Sequence, residues 1–378
     1  MNKNFKVVLI SNTSHFFSSF MLNHIHELSK IYSVSICCNN ADKLKKKVPS
    51  NISLININYV RGFSLINDLF AFLFTLFFFL KNKPNLSISF TPKIGLMVTI
   101  SSFFARTPKR IHWFTGQIWA NSEGLARIFF KSLDKLIYYL SDYVFIDGLS
   151  QRKFLIKEKI ISRQNSIVFN KGSVGGVNIS KFKYNDLKRS RLRKNYSIAK
   201  NTFVFLYLGR INKDKGIIEL VDAFNNIKNI HNVILVIVGS VEDKKLEQLV
   251  KNKNKILYFN YTDKPEDWLS LADVLCLPSH REGFGTVVIE AASCGIPSLC
   301  SNIYGLQDAL IKDKTGFFHK VGNTNDIKKK MLYIVRNKKL VKKYGQFANK
   351  RVLKDFEQSV ISKKFLKFIS SNILRNGI

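Results

Sequence analysis

The chain has 378 residues, 46% of them hydrophobic, and carries 60 Lys+Arg against 26 Asp+Glu for a formal net charge of +34. The length exceeds one ordinary core and predicts two domains, while the composition excludes a disordered or fibrous protein. Residues 1–200 hold 31 Lys+Arg and 9 Asp+Glu, a net +22, so the first half is the more basic. A field of that sign suits nucleic acid, an anionic membrane surface or phosphorylated small molecules; lysine-rich codon usage would also produce it. With no zinc pattern, helix-turn-helix or RNP-like aromatic motif beside the charge, no specific nucleic acid is expected. Cys37, Cys38, Cys276, Cys294 and Cys300 form no C-x-x-C pair and read as reduced core residues, which places the protein in the cytoplasm.

From residue 5, short β-rich runs alternate with helical stretches: KVVLIS, a helix around 16–30, YSVSICC, a helix around 65–80, LSISF and a helix around 95–105. RIHWFT, YVFIDG and SIVFN (166–170) continue the strands. This is the rhythm of a parallel sheet covered by helices. The uncharged run LFAFLFTLFFFL, 69–80, falls short of the roughly 20 residues needed to cross a bilayer. Two readings stay open for it: a buried helix of the first domain, favoured here, or a helix dipping one face into a membrane interface. Lys81, Lys83 and the basic stretch KFKYNDLKRSRLRK (181–194) make an anionic membrane surface a plausible partner.

KGSVGGVNISKF reads as an interdomain connection, after which the rhythm restarts with TFVFLYLG, KGIIELVDAFNNI, NVILVIVG, KLEQLVKN, ILYFNY, DVLCLPS and PSLCS. Two α/β units predict two Rossmann-like domains facing across a cleft, with ligands outside the carboxyl ends of the strands. The expected boundaries are 1–180, 181–350, and a helical segment 351–378 that packs back on the first domain.

Two stretches carry chemistry. In LYLGRINKDKGIIEL a strand ends before Gly209, and Arg210 and Lys215 flank a short loop ahead of a helix. Cations beside a helix N-terminus form an anion site suited to a diphosphate; solvated loop charges are the plainer alternative. In LPSHREGFGTVVIEAASCGIP, Glu282 lies in a glycine-bearing loop and Glu290 about two turns inside the following helix. Gly283 and Gly285 let backbone approach a ligand, and the N–H groups of Phe284 to Val287 can face a phosphate. Each carboxylate can accept from a pair of hydroxyls, so two of them match the ribose and the sugar ring of a nucleotide sugar.

Together, LGRINKDKG and PSHREGFGTVVIEAASCGIP closely resemble the retaining glycosyltransferases of family 4, which have the GT-B fold, through most of 200–320 and more loosely over the whole chain. FTPKIG (90–95) and KGSVGGV (171–177) are similar to elements of bacterial polysaccharide-forming members. The resemblance implies that Arg210 and Lys215 bind the donor diphosphate and stabilise charge on it, that Glu282 holds the transferred sugar, and that Glu290 holds the ribose. Gly209, Gly283, Phe284, Gly285, Thr286 and Val287 complete the donor site, with the base near Val238–Ser240 and Phe259–Thr262. In the first domain His112 is a candidate for a catalytic loop, or a histidine satisfied in the core. His15, Lys93, Thr115 and Gly116 are candidates for the acceptor side. No metal and no cofactor is expected; the donor is a nucleotide sugar, UDP-sugar ahead of GDP-sugar.

The activity so implied is retaining transfer to a lipid-linked glycan in bacterial capsule, O-antigen or related polysaccharide synthesis, by an enzyme peripheral on the inner face of the cell membrane. The alternatives are a lipopolysaccharide core or soluble acceptor, and a basic nucleic-acid or membrane binding protein without catalysis. A degenerate, binding-only relative would have been marked by loss of Arg210, Lys215, Glu282 or Glu290, all of which are present.

Overall fold

A computed structural model describes residues 4–60, 62, 64–230, 232–251 and 254–373. The chain divides into two units, Met1–Gly176 with Gln358–Ile378, and Val177–Glu357. Each is built on a parallel sheet covered by helices, so its central strands are wholly buried, Leu86–Phe90 in one and Phe203–Leu208 in the other, while Lys6, Ser33, Ser53 and Asn56 at the ends of other strands are exposed.

In unit 1 the strands β1 (Lys6–Thr13), β2 (Ser33–Asn39), β3 (Ser53–Asn56), β4 (Leu86–Phe90), β5 (Lys109–Phe114), β6 (Tyr143–Ile146) and β7 (Ser166–Ile167) run in the order β3-β2-β1-β4-β5-β6-β7. SIVFN thus pairs over only two residues. The helices are α1 (Ser14–Phe16), α2 (Leu22–Ser29), α3 (Leu65–Asn82), α4 (Pro92–Phe104), α5 (Gly124–Leu140) and α6 (Leu149–Lys157), and a π-turn at Phe17–Met21 joins α1 to α2. One face of the sheet packs Val7 and Leu9 under α2 and Phe145 against Phe365 and Phe368; the other packs Val8 and Ile10 under α3 and α4.

Unit 2 contains α7 (Asp186–Asn195), β8 (Phe203–Leu208), α8 (Ile217–Asn225), β9 (Val233–Val238), α9 (Lys244–Val250), β10 (Ile256–Phe259), α10 (Pro265–Leu271) and β11 (Val274–Leu277). It continues through α11 (Thr286–Ser293), β12 (Ser298–Ser301), α12 (Tyr304–Gln307), β13 (Gly316–His319), α13 (Thr324–Arg336) and α14 (Lys338–Asp355). Its sheet order is β10-β9-β8-β11-β12-β13.

The expected boundaries shift slightly. The chain enters unit 2 at Val177, and α14 still belongs to unit 2, so the returning segment is α15 (Gln358–Phe368), which packs on α2 within unit 1. The end of the expected 351–378 segment, beyond Ile373, lies outside the described residues. All five cysteines are buried free thiols.

The helix at 65–80 needs a larger correction. α3 is 18 residues long, apolar enough to cross a membrane by length and composition, and it is not the buried helix favoured from sequence. Only Ala71, Thr75 and Phe79 are buried, while Ile66, Phe70 and Phe77 stand in solvent. Sequence hydrophobicity could not distinguish the two, because it does not say which face meets the sheet.

Candidate functional site

At the carboxyl edge of the unit 2 sheet the chain leaves β8 toward β9, while β11 lies on the other side of β8. That reversal is a topological switch point, where the loops after the two diverging strands open a crevice. Here the loops 209–216 and 278–285 are locked together. The His280 N–H donates to the Asp214 carbonyl at 2.8 Å, and the Arg281 guanidinium meets the Asp214 carboxylate at 2.8 Å. Gly216 has φ +64°, and a Cβ there would lie 2.1 Å from the Pro278 carbonyl oxygen, so only glycine permits this approach.

On this frame Lys215 and Glu282 meet: Lys215 Nζ is 2.5 Å from Glu282 Oε1, and the Ser279 hydroxyl donates to the same oxygen at 2.8 Å. Both side chains are less than one-fifth exposed, 16% and 13%, so solvent screens the pair weakly. Oε2 of Glu282 receives no hydrogen bond from the described residues, which leaves an acceptor for a ligand hydroxyl. Gly285, at φ +71°, caps the N-terminus of α11, and Thr286 and Val287 on its first turn are partly exposed. The Phe284 side chain is buried against Phe356, with ring centroids 5.5 Å apart, so that residue can offer a ligand only its backbone.

Arg210 lies at the same edge but on a different partner. Its Nη1 contacts both oxygens of Glu242, at 2.9 and 3.2 Å, and Asn212 Nδ2 donates to the same carboxylate at 2.7 Å. The Tyr207 hydroxyl donates to the Arg210 carbonyl at 2.6 Å and fixes the backbone. Each of the two cations picked out from sequence therefore rests on a carboxylate of its own. The segments expected near a base are also adjacent, with the Gly239 N–H donating to the Phe259 carbonyl at 2.9 Å.

Glu290 sits on the second turn of α11, partly exposed and without a hydrogen-bond partner among the described residues. Burial of its carboxyl, with the Glu266 charge adding and the Lys181 charge opposing, raises its pKa to about 7.

Unit 1 treats the other candidates unevenly. His112 lies on β5 with no exposure, its Nδ1 2.8 Å from Ser89 Oγ and its ring against Gly95, and burial lowers its pKa to about 3. The imidazole thus lies inside the core of unit 1, on the strand rather than in the loop that follows it. Lys93 is likewise occupied, ion-paired with Asp68 at 2.5 Å and donating to the carbonyls of Val60 and Gly62. It clamps the chain ahead of α3 rather than standing open for an acceptor. His15 is exposed just after β1, and Thr115 and Gly116 are partly exposed after β5. Thr91, between β4 and α4, has φ 69° and ψ 143°, a region almost reserved for glycine, so this turn stores strain beside the β1–β4 switch point.

Residues 188–351 match the family described as glycosyl transferases group 1. The match lies within unit 2. The chain as a whole is related to polysaccharide-forming glycosyltransferases: it is 29% identical over 309 residues, 80% of each chain, to the capsular polysaccharide biosynthesis glycosyltransferase CapM of Staphylococcus aureus. It is 25% identical over 257 residues, 67% of this chain and 66% of the relative, to an N,N'-diacetylbacillosaminyl-diphospho-undecaprenol alpha-1,3-N-acetylgalactosaminyltransferase of Campylobacter jejuni. The Anabaena protein HepE, solved with UDP and glucose, superposes with a TM-score of 0.79 at 17% identity, covering 97% of this chain and 100% of that one. That likeness shows the fold, two Rossmann-like domains of the GT-B type. Ser279, Glu242, Asn212 and Asp214 join the candidate site without having been read from sequence. Ser279, three residues before Glu282, was within reach of motif reasoning, whereas Glu242 becomes Arg210's neighbour only through the pairing of β8 with β9.

Proposed function

We propose that the protein transfers a sugar with retention, in the manner of family 4, from a nucleotide-sugar donor, UDP-sugar ahead of GDP-sugar, to a lipid-linked glycan acceptor. The setting in this reading is capsule, O-antigen or related polysaccharide synthesis on the inner face of the cell membrane. The observation that carries the donor side is the Lys215–Glu282–Ser279 cluster at the switch point, directly before the N-terminus of α11. Lys215 and the first-turn N–H groups would stabilise charge developing on the departing diphosphate, an electrostatic contribution aligned before reaction. Glu282 would use its open oxygen to hold a hydroxyl of the transferred sugar, and Glu290, when ionised, would accept from the ribose. Arg210 would exchange Glu242 for the diphosphate. A departing phosphate oxygen would assist the incoming hydroxyl, and the reaction needs neither metal nor cofactor.

The acceptor side rests on relatives. The Campylobacter relative's name specifies a diphospho-undecaprenol acceptor, and CapM's specifies capsule synthesis. Calorimetric titration of the purified protein with UDP and GDP, followed by their sugar conjugates and a polyprenyl-diphosphate glycan, tests the reading. Selective UDP binding and transfer to the lipid-linked acceptor are expected. Binding of neither nucleotide would overturn the donor assignment, and transfer only to a soluble glycan would overturn the acceptor.

A further inference from the structure

Two helices of unit 1 carry large apolar side chains on their exposed faces. On α3 Asp68 and Thr75 point toward the body of the unit, Asp68 to Lys93 and Thr75 to the Tyr59 hydroxyl at 2.8 Å, while Ile66, Leu69, Phe70, Phe74, Phe77 and Leu80 form an exposed stripe along one side. On α5, Asp134 is buried and accepts from Trp119 Nε1 at 2.7 Å, while Leu125, Ile128, Phe129 and Tyr139 are exposed. Exposures of 67% for Phe70, 65% for Phe77, 85% for Leu125 and 65% for Ile128 reverse the usual surface helix, which turns its apolar face to the core. Between them packs α4, whose C-terminal turn adds exposed Phe103 and Phe104. Contiguous exposed apolar surface on this scale marks an interaction site.

Charge chooses the partner. Residues 65–140 contain nine Lys/Arg and three Asp/Glu, and of the three acids Asp68 and Asp134 face inward, leaving Glu123 as the exposed one. Lys81, Lys83, Arg106 and Lys135 are exposed at the ends and along the sides of the stripe. Lys135 lies 5.9 Å from the centre of the Tyr139 ring. Apolar side chains edged by cations match acyl chains edged by anionic headgroups. A second copy fits poorly, because two chains of +34 would bring like charges together around the same patch. Crossing the bilayer is also disfavoured for α3, since Ala71, Thr75 and Phe79 are already packed on unit 1.

We infer that α3, the end of α4 and α5 form one docking face that lies in the interfacial plane of an anionic bilayer, with the Phe and Leu side chains entering the acyl region. This deepens the lipid-linked acceptor reading, but it rests on surface chemistry alone.

The test is co-sedimentation of the full chain with vesicles of phosphatidylcholine containing phosphatidylglycerol, against pure phosphatidylcholine, with UDP titrated into the same preparations. Strong, salt-sensitive binding to the anionic vesicles is expected. Replacing Phe70, Phe74 and Phe77 together by Ser should lower the partition coefficient by ~10-fold or more, and I128S/F129S on α5 should also lower it. K81E/K83E should remove most of the preference for anionic lipid. Because these positions are exposed, UDP binding should persist in all variants and report their folding. Wild-type vesicle binding by both apolar variants would overturn the inference. A lipid-free dimer, seen by light scattering and dissolved by the same substitutions, would give the face to a second copy and overturn it too. Vesicle binding without UDP binding in the wild type would sink the donor reading and leave the docking face standing.

Discussion

The two units share one architecture and use their helices in opposite ways. In unit 2, α8 buries Ile217, Leu220, Val221 and Phe224 against the sheet and leaves polar residues outside. In unit 1, α3 and α5 turn Asp68 and Asp134 inward and expose Phe70, Phe74, Phe77, Phe129 and Tyr139. The switch points differ in the same sense: unit 2 gathers Lys215, Glu282, Arg210 and Glu242 at one edge, whereas unit 1 has its strained Thr91 turn, an exposed His15 and an imidazole sealed in the core. A parallel α/β sheet fixes where a ligand can bind, but the side chains outside it decide whether a unit handles a charged small molecule or a surface.

The contrast can be broken most directly through stability. Leu220→Ala in α8 should destabilise the fold by roughly 2–5 kcal/mol, and Phe77→Ala in α3 by about 0.5 kcal/mol or less, measured by urea unfolding. Equal losses would mean that α3 is a core helix after all. For chemistry, Lys215→Ala should lower the rate of transfer about 10²–10³-fold in single-turnover assays. Lys93→Ala should instead lower stability by ~1–2 kcal/mol and leave UDP affinity unchanged, because its ion pair and hydrogen bonds close on unit 1.

A smaller effect separates the two cations of unit 2. Arg210→Ala should weaken UDP binding ~10-fold, while Glu242→Ala, by releasing Arg210 from its competing carboxylate, should strengthen it a few-fold. Unchanged affinity in both would remove Arg210 from the diphosphate site. The smallest effect is a pH profile. With its pKa raised to about 7, Glu290 adds stability below the ordinary carboxylate range and loses it as pH rises through 7. UDP affinity should run the other way, rising through the same window as the carboxylate becomes an acceptor for two hydroxyls, and Glu290→Gln should flatten both profiles.

Strand and helix rhythm, the two Rossmann-like units and the glycine-bearing loops of unit 2 were legible because each depends on local spacing. Glycines at 216 and 285 announce turns with positive φ, and the short distance from Ser279 to Glu282 keeps a contact inside one loop. The apolar run at 69–80 and His112 were not resolved by the same means. Hydrophobicity gives a helix its composition and not its orientation, and a histidine in a strand can face a sheet's covering helix or its carboxyl edge with the same sequence.

Sequence by itself therefore determined the covalent inventory: a parallel α/β chain in two units, an excess of cations, and a Gly-bordered loop carrying Glu282 ahead of the helix that carries Glu290. Tertiary structure alone decided that Arg210 rests on Glu242, that Lys215 rests on Glu282, that His112 and Lys93 are committed within unit 1, and that α3 and α5 turn their aromatics outward. The reason is physical: partners 23 to 67 residues apart meet only through sheet order and helix rotation, and burial, which sets both charge state and exposure, is a property of the packed chain.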